Sequence, residues 1–517
     1  MLKKLRVALA VIFWLGITLL LLDFTGGLHA YLGWMAKLQF LPAVLALNVG
    51  VIVGLILLTL VFGRVSCSVI CPMGVFQDGI SWLRAHTSKK PFEYKKENKW
   101  LRYGVWVLFV ACLVAGVHVI VTLLAPYSAY GRMVQNILQP VYLWGNNLLA
   151  TLAERAHSYT FYKEEVWLTS GISLAISVVT LLVVGFLAWK NGRVYCNSIC
   201  PVGTTLSFFS RFAMFRPMID ASQCVRCHTC ERKCKAQCIS ITKEEVFIDH
   251  SRCVDCFNCI DSCPKGGLKY RFAWGPGTKK ADSVRGEAKN EGPSTKKADS
   301  VRGEAEVTGR RAFMTGTAVA VGAAALKGVE ARAQEAAKKV DGGFAEVLPK
   351  QTIKREVPIT PPGSVSVKHF YQHCTGCQLC VAECPNNVLR PSGDLDHLMQ
   401  PEMGYEKGFC RPECTRCSEL CPAGAIRKIS REEKTQYHIG TAHVNPDLCL
   451  MATGKSNCGK CAQACPSGAV ALIKDGDVRR PVVAEEMCTG CGACEYLCPV
   501  RPISAITVNG RFNHYND

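Results

Sequence analysis

Thirty cysteines stand in this chain of 517 residues, and twenty-four of them fall into six quartets, nearly all spaced C-x2-C-x2-C-x3-C. No other feature constrains the fold as much. A loop that tight places three thiolates around a small inorganic cube, while the fourth reaches across to a neighbouring one. A disulfide framework has irregular spacing and belongs to small secreted domains. Structural zinc spaces its two cysteine pairs more widely. The pattern therefore predicts at least six [4Fe–4S] clusters.

Two quartets sit near the middle of the chain, as CVRCHTCERKC from Cys224 and CVDCFNCIDSCP from Cys253. Their spacing is that of a bacterial two-cluster ferredoxin. It groups Cys224, Cys227 and Cys230 with Cys263, and Cys253, Cys256 and Cys259 with Cys234. Cys234 lacks the proline that follows Cys263, and Cys238 is near enough to compete for the crossing position. The other four quartets are Cys374, Cys377, Cys380, Cys384; Cys410, Cys414, Cys417, Cys421; Cys449, Cys458, Cys461, Cys465; and Cys488, Cys491, Cys494, Cys498. Each ends in Cys-Pro. The crossing rule applied to them suggests nested pairing, outer quartet with outer and inner with inner.

Hydrophobic residues make up 49% of the chain, and four apolar stretches are long enough to cross a bilayer: Val7 to Phe24, Leu41 to Phe62, Tyr103 to Leu124 and Val166 to Trp189. Basic residues collect before the first (Lys3, Lys4, Arg6), between the second and third (Arg64 to Lys99), and after the fourth (Lys190 to Arg216). Those segments are expected in the cytoplasm. The excess of Lys and Arg over Asp and Glu, 60 to 41, lies in these loops and one linker, so it reports topology and gives no nucleic-acid partner.

A repeat marks the cytoplasmic edge: GRVSCSVICPMG from Gly63 and GRVYCNSICPVG from Gly192. Each C-x3-C-P matches the back end of a ferredoxin quartet but holds only two thiols. Cys67, Cys71, Cys196 and Cys200 together supply four, so a redox or metal role is expected there, against a purely structural pair of motifs. Cys112 reads as an ordinary buried residue.

Residues 273–309 are polar, with TKKADSVRGEA repeated at Thr278 and Thr295, and read as a disordered linker. Next come Arg310, Arg311 and Phe313, a short apolar run to Leu326 and a small-residue ARA at Ala331 to Ala333. This resembles a twin-arginine export signal in mid-chain. Twin-arginine export moves folded proteins, which suits a cargo whose clusters are built before crossing. A Pro-rich connector over 334–366 follows.

The expected architecture is an α-helical membrane domain of four transmembrane helices (1–216), with α+β bacterial-type 2[4Fe–4S] ferredoxin domains on both sides of the membrane. One is cytoplasmic (217–272). The other, carrying four clusters (367–517), is periplasmic and lies beyond the linker, the signal (310–333) and the connector. On these motifs the first part resembles the NapH family, the membrane ferredoxin of periplasmic nitrate reductase systems. The part from about residue 306 resembles the NapG and MauM families of exported four-cluster ferredoxins.

The resemblance implies a quinol dehydrogenase module of the inner membrane. It would take electrons from the membrane quinone pool, with quinol as substrate, and pass them to a periplasmic reductase or its cytochrome c partner. The same wire in methylamine utilisation, or a maturation or redox-sensing factor, are the alternatives. Neither a nucleophile–base set nor a phosphate-binding loop is found. His118, inside the third stretch, is the default candidate for a quinol site, with a structural hydrogen-bonding role the equal alternative.

Overall fold

The computed structural model describes residues 1–274 and 346–514, apart from Phe24 and residues 89–90, 164–165, 167–169, 221–222, 243–244 and 476–477, together with the short strands Ser283–Arg285 and Lys339–Val340. Arg310, Arg311 and Phe313, and with them the expected export signal, lie outside the described residues, as does nearly all of the linker. Within the linker range, Ser283–Arg285 pairs antiparallel with Glu245–Phe247 at a sheet edge.

Thirteen α-helices and a π-helical turn (Val134–Leu138) among the described residues of 1–210 form the helical unit: α1 (Leu2–Leu22), α2 (His29–Lys37), α3 (Phe40–Leu45), α4 (Val49–Phe62), α5 (Val65–Val69), α6 (Pro72–Thr87), α7 (Lys99–Ala115), α8 (His118–Leu124), α9 (Pro126–Met133), α10 (Gln139–Arg155), α11 (Gly171–Asn191), α12 (Val194–Ser198) and α13 (Pro201–Ser210). The apolar run of α1 stops at Asp23, whose carboxylate accepts from the backbone N–H groups of Thr25, Gly26 and Leu28 and so turns the chain. Asn48, Asn98 and Ser170 cap α4, α7 and α11 through their side chains.

Among the described residues two helices, α1 and α11, are long and apolar enough to cross a membrane; each has 21 residues, about 31 Å at the helical rise. The other two expected stretches are not continuous helices. Leu41 to Phe62 breaks after α3, where Leu47 takes a left-handed backbone (φ 51°) and Asn48 restarts the helix as α4. Tyr103 to Leu124 breaks at Gly116 (φ 77°), which ends α7 in a left-handed cap. Asn48 in the first run and Gly116 with His118 in the second are the polar or flexible residues at the breaks. Side chains facing outward on these helices are apolar, among them Leu5, Ile12 and Leu19 on α1, Leu57 on α4, Val107 and Val114 on α7, and Leu182 and Phe186 on α11.

Residues 215–272 form a small ferredoxin-like unit. Strand β1 (Phe215–Ile219) pairs antiparallel with the last strand, Leu268–Phe272, in the register Ile219 to Leu268. Ile239–Ile241 pairs with Glu245–Ile248. Ile219, Ile239, Ile241, Val246, Ile248 and Leu268 pack around its cysteines. The unit from 346 to 514 is built from short antiparallel pairs, the longest Gly440–Val444 with Ile506–Gly510 and Val470–Asp475 with Val478–Val483. A buried Arg355–Glu495 ion pair of 2.9 Å ties its first segment to a late helix.

All four apolar segments run from one of these units to the other. At one end Lys3 meets Asp261 (2.6 Å), Tyr270 donates to the Phe62 carbonyl (2.9 Å), Arg102 to that of Ser251 (3.2 Å), and Arg193 N–H to that of Lys235 (2.8 Å). At the opposite end Gly26 lies against Arg416, Ala46 against Gly424, and Gly116 against Gln372, while Ser173 accepts from Gln378 (3.0 Å). The helical unit thus separates the two ferredoxin units.

Candidate iron–sulfur sites

The cysteine loops share a backbone device. In each C-x2-C-x2-C loop the residues just before and just after the middle cysteine are left-handed: Arg226 and His228, Asp255 and Phe257, Gly376 and Gln378, Gly490 and Gly492. Five of these eight are not glycine, and left-handed backbone costs an ordinary residue roughly 1–2 kcal/mol. Such conformations persist where the surroundings over-determine them. They coil the loop into a concave nest whose N–H groups face inward toward an anionic group. The Gly376 N–H, for example, lies 3.4 Å from Cys374 Sγ.

Cavities stand inside the loops. Cys224, Cys227, Cys230 and Cys263 line one of about 430 Å³. Cys253, Cys256 and Cys259 line another of about 370 Å³ with both Cys234 and Cys238, whose sulfurs are 3.5 Å apart. The Cys238 thiol, hydrogen-bonded to Cys234, holds that thiol down at about 7 against the effect of burial. Cys449, Cys458, Cys461 and Cys498 share a cavity of about 340 Å³, and Cys488, Cys491, Cys494 and Cys465 one of about 290 Å³.

The remaining eight fall into two groups by mutual proximity. Cys374, Cys377 and Cys380 lie with Cys421, and Cys410, Cys414 and Cys417 with Cys384. The nested pairing is therefore corrected: the first quartet exchanges its last cysteine with the second, and the third with the fourth. The reason is packing. The short helix Leu379–Ala382 of the first loop packs against Arg416–Leu420 of the second.

These groups fit a cube better than a single ion. Among the described residues no three Cys, His, Asp or Glu side chains converge on one ion's coordination sphere. A cube takes one thiolate at each of four separate iron corners, so its thiolates stand farther apart. Burial, followed by neighbouring thiols, pushes Cys461 up to about 11, and burial does the same to Cys410 despite Lys434. Loading these sites therefore releases protons.

The two C-x3-C-P motifs also meet. Cys67, Cys71, Cys196 and Cys200 line one cavity of about 620 Å³ together with Gln39, Leu41, Leu55, Ser66 and Tyr127. Cys71 and Cys200 each precede a helix-starting proline. Gly74 and Gly203 lie so close to the Cys67 and Cys196 carbonyls that an added Cβ would stand 2.2 and 2.3 Å from them.

The arginine of each repeat serves the other. Fully buried Arg64 donates to the Gly203 carbonyl (3.0 Å), to Asn197 (2.7 Å) and to the Cys253 carbonyl (3.0 Å). Equally buried Arg193 donates to the Cys67 carbonyl (2.8 Å) and to Asp78 (2.7 Å). Asp78 also meets Lys235 (3.0 Å) and Arg6. Burial alone would raise its pKa, but the charges of Arg193, Lys235 and Arg6 hold its carboxyl well below the usual range.

Sequence reasoning missed Arg64, Arg193 and Asp78 as site residues. The repeated GRV before each first cysteine was the available signal for the two arginines. His118 is brought elsewhere: it starts α8, buried near His373 and away from the four-thiol cavity. Gln378, in a cysteine loop, bonds both Asn136 (3.1 Å) and Ser173 (3.0 Å), so the Cys374 group is the one seated on the helical unit.

Paired cysteine loops around cavities on a small antiparallel scaffold define a ferredoxin-type iron–sulfur protein. Models described as 4Fe-4S binding domains match residues 44–91, 170–218 and 367–390, and one described as a 4Fe-4S dicluster domain matches 409–469 and 456–501. The chain is similar to the ferredoxin-type protein NapF of Escherichia coli K12, 30% identical over 169 residues that make up 32% of this chain and 96% of the relative. It is similar also to the methylamine utilization ferredoxin-type protein MauM of Methylobacillus flagellatus (30% over 151 residues, 27% of this chain and 63% of the relative). The ferredoxin-type protein NapG of Escherichia coli K12 is 26% identical over 179 residues, 30% of this chain and 75% of the relative. The chain belongs to the Nap and Mau family of ferredoxin-type proteins, and it carries several [4Fe–4S] clusters.

Proposed function

We propose that this chain is the electron-transfer module of a quinol dehydrogenase of the inner membrane, fused from a NapH-type membrane part and an exported NapG or MauM-type part. One observation carries the reading: the four apolar segments each lead from one set of cysteine cavities to the other. With α1, α4 with α3, α7 with α8, and α11 crossing the bilayer, the 215–272 unit is cytoplasmic and the 346–514 unit periplasmic. Broken helices are tolerated at membrane depth where protein covers the break. The outward leucines and valines face lipid, and Trp100 and Trp189 sit near the interface.

The ligands in this reading are the groups described above, with Cys234 in the crossing position that the spacing gives it. Bound clusters supply single-electron steps between neighbouring cubes. The chain's own residues hold them in order. The Cys374 group sits on the helical unit. The Cys410 group follows, and its Cys410 N–H bonds the Cys491 carbonyl (2.9 Å), which leads to the Cys488 group and then to the Cys449 group. The last is the exit toward a periplasmic acceptor, nitrate reductase or its cytochrome c partner.

Anaerobic membranes holding the intact chain should lose visible cluster absorption when given reduced quinol. Unchanged absorption would end the quinol reading. The MauM similarity favours a second acceptor, a periplasmic oxidoreductase of methylamine utilisation. Comparing reoxidation of the reduced chain by each purified acceptor decides between them.

A further inference from the structure

Six quartets account for six cluster sites, and of the six cysteines outside them four belong to the two C-x3-C-P repeats. The family match describes each of the two repeats as 4Fe-4S binding, yet each contributes only two thiols, half of what a cube needs. The geometry points to one [4Fe–4S] cluster shared between the repeats, ligated by Cys67 and Cys71 of one and Cys196 and Cys200 of the other, and standing between the two ferredoxin units.

The four thiols line one cavity, just as each of the four ferredoxin cavities is lined by four or five cysteines. Cys200 lies within electrostatic reach of the other three. Donors already face the sulfurs: Gln77 Nε2 is 3.2 Å from Cys196 Sγ, and the Gly203 N–H is 3.4 Å from Cys200 Sγ. A cube on four thiolates is an anion, and a buried anion needs compensation. Fully buried Arg64 hydrogen-bonds neutral acceptors, and its charge lies within electrostatic reach of the Cys67 thiol as well as of the buried Asp255 carboxyl. The exchange of Arg64 and Arg193 between the repeats fixes the register that brings the two half-sets of thiols together.

An orphan marks the same cavity. Among the described residues the buried Tyr127 hydroxyl has no hydrogen-bond partner, and Tyr127 lines the cavity. The cavity also has neighbours on both sides. Toward 215–272, Arg193 is 3.9 Å from Cys196 Sγ and bonds Asp78, which lies within electrostatic reach of Cys256. Toward 346–514, Tyr127 reaches Cys377 and Cys421.

The inference rests on the electron-transfer reading for its purpose, but its test needs no quinol. Native mass spectrometry of the anaerobically purified full chain should show one cluster mass beyond the six of the quartets. C71S and C196S should each lose one cluster's worth of iron and sulfide, and the double variant C71S/C196S should lose that same single cluster. C112S, which removes a cysteine outside the cavity, should lose none.

An unmutated chain with six cluster masses would overturn the proposal, as would a double variant that loses two clusters or a Cys67–Cys71 or Cys196–Cys200 disulfide in the purified chain. If the serine variants do not fold, the mass of the unmutated chain decides alone.

Discussion

Asp78 is the perturbation that tests the interlocked repeats most directly. Its carboxylate meets Arg193, Lys235 and Arg6, joining α6 to the second repeat, to the 215–272 unit and to α1. Replacement by asparagine keeps the shape and removes the charge. Removing one partner of a buried ion pair typically costs about 3–5 kcal/mol, because the other charge stays buried without compensation. Three cations share this one anion, and such terms are not additive within a network, so the expected loss stays at about 4 kcal/mol. For a unit of this size that lowers the midpoint by roughly 10 °C.

The pH dependence has a definite sign. Asp78 titrates well below its unfolded value, so the native state binds fewer protons. Its stabilisation is whole above about pH 4 and drains away as pH falls toward the native value. Thermal unfolding in detergent, followed by tryptophan fluorescence from pH 3 to 8, should show D78N destabilised throughout the neutral range, converging on the unmutated chain only in acid. A loss below about 1 kcal/mol at pH 7, or a gap that widens in acid, would refute the reasoning.

Other outcomes follow from the same geometry. Gly192→Ala should loosen the 215–272 unit, since φ is +64° and a Cβ would stand 2.4 Å from the Lys235 carbonyl oxygen; faster amide exchange over 190–197 is the readout. C234S should lose one cluster's iron while C238S keeps it, by iron and sulfide analysis of each variant. Gln378→Ala removes the bonds to Asn136 and Ser173 and should speed proteolytic release of the 346–514 unit from the helical unit. Burial lowers the His514 pKa, so the unfolded chain binds more protons below about 6.5 and the closure of Ser364 on His514 weakens as pH falls; H514Q should flatten that acid slope in a thermal melt.

Thiol spacing determined much by itself. Which cysteines form loops, that the first two quartets exchange their last members, and where the apolar segments lie all follow from short-range pattern, because a cube corner and a helix turn are local lengths. Charge along the chain likewise grouped the ends of the four segments: Lys3, Arg102 and Arg193 all meet the 215–272 unit. What tertiary packing alone decided involves partners far apart in sequence. Only the fold shows that Gly116 and Leu47 break two apolar runs, that the last four quartets pair with their neighbours, and that Arg64 and Arg193 cross between repeats 129 positions apart. It also brought Tyr127 to the four-thiol cavity and left His118 outside it. Hydropathy and spacing are averages over neighbours in the chain, whereas a buried charge, a shared cavity and a crossing ligand are set by whichever distant residues the closed fold presses together.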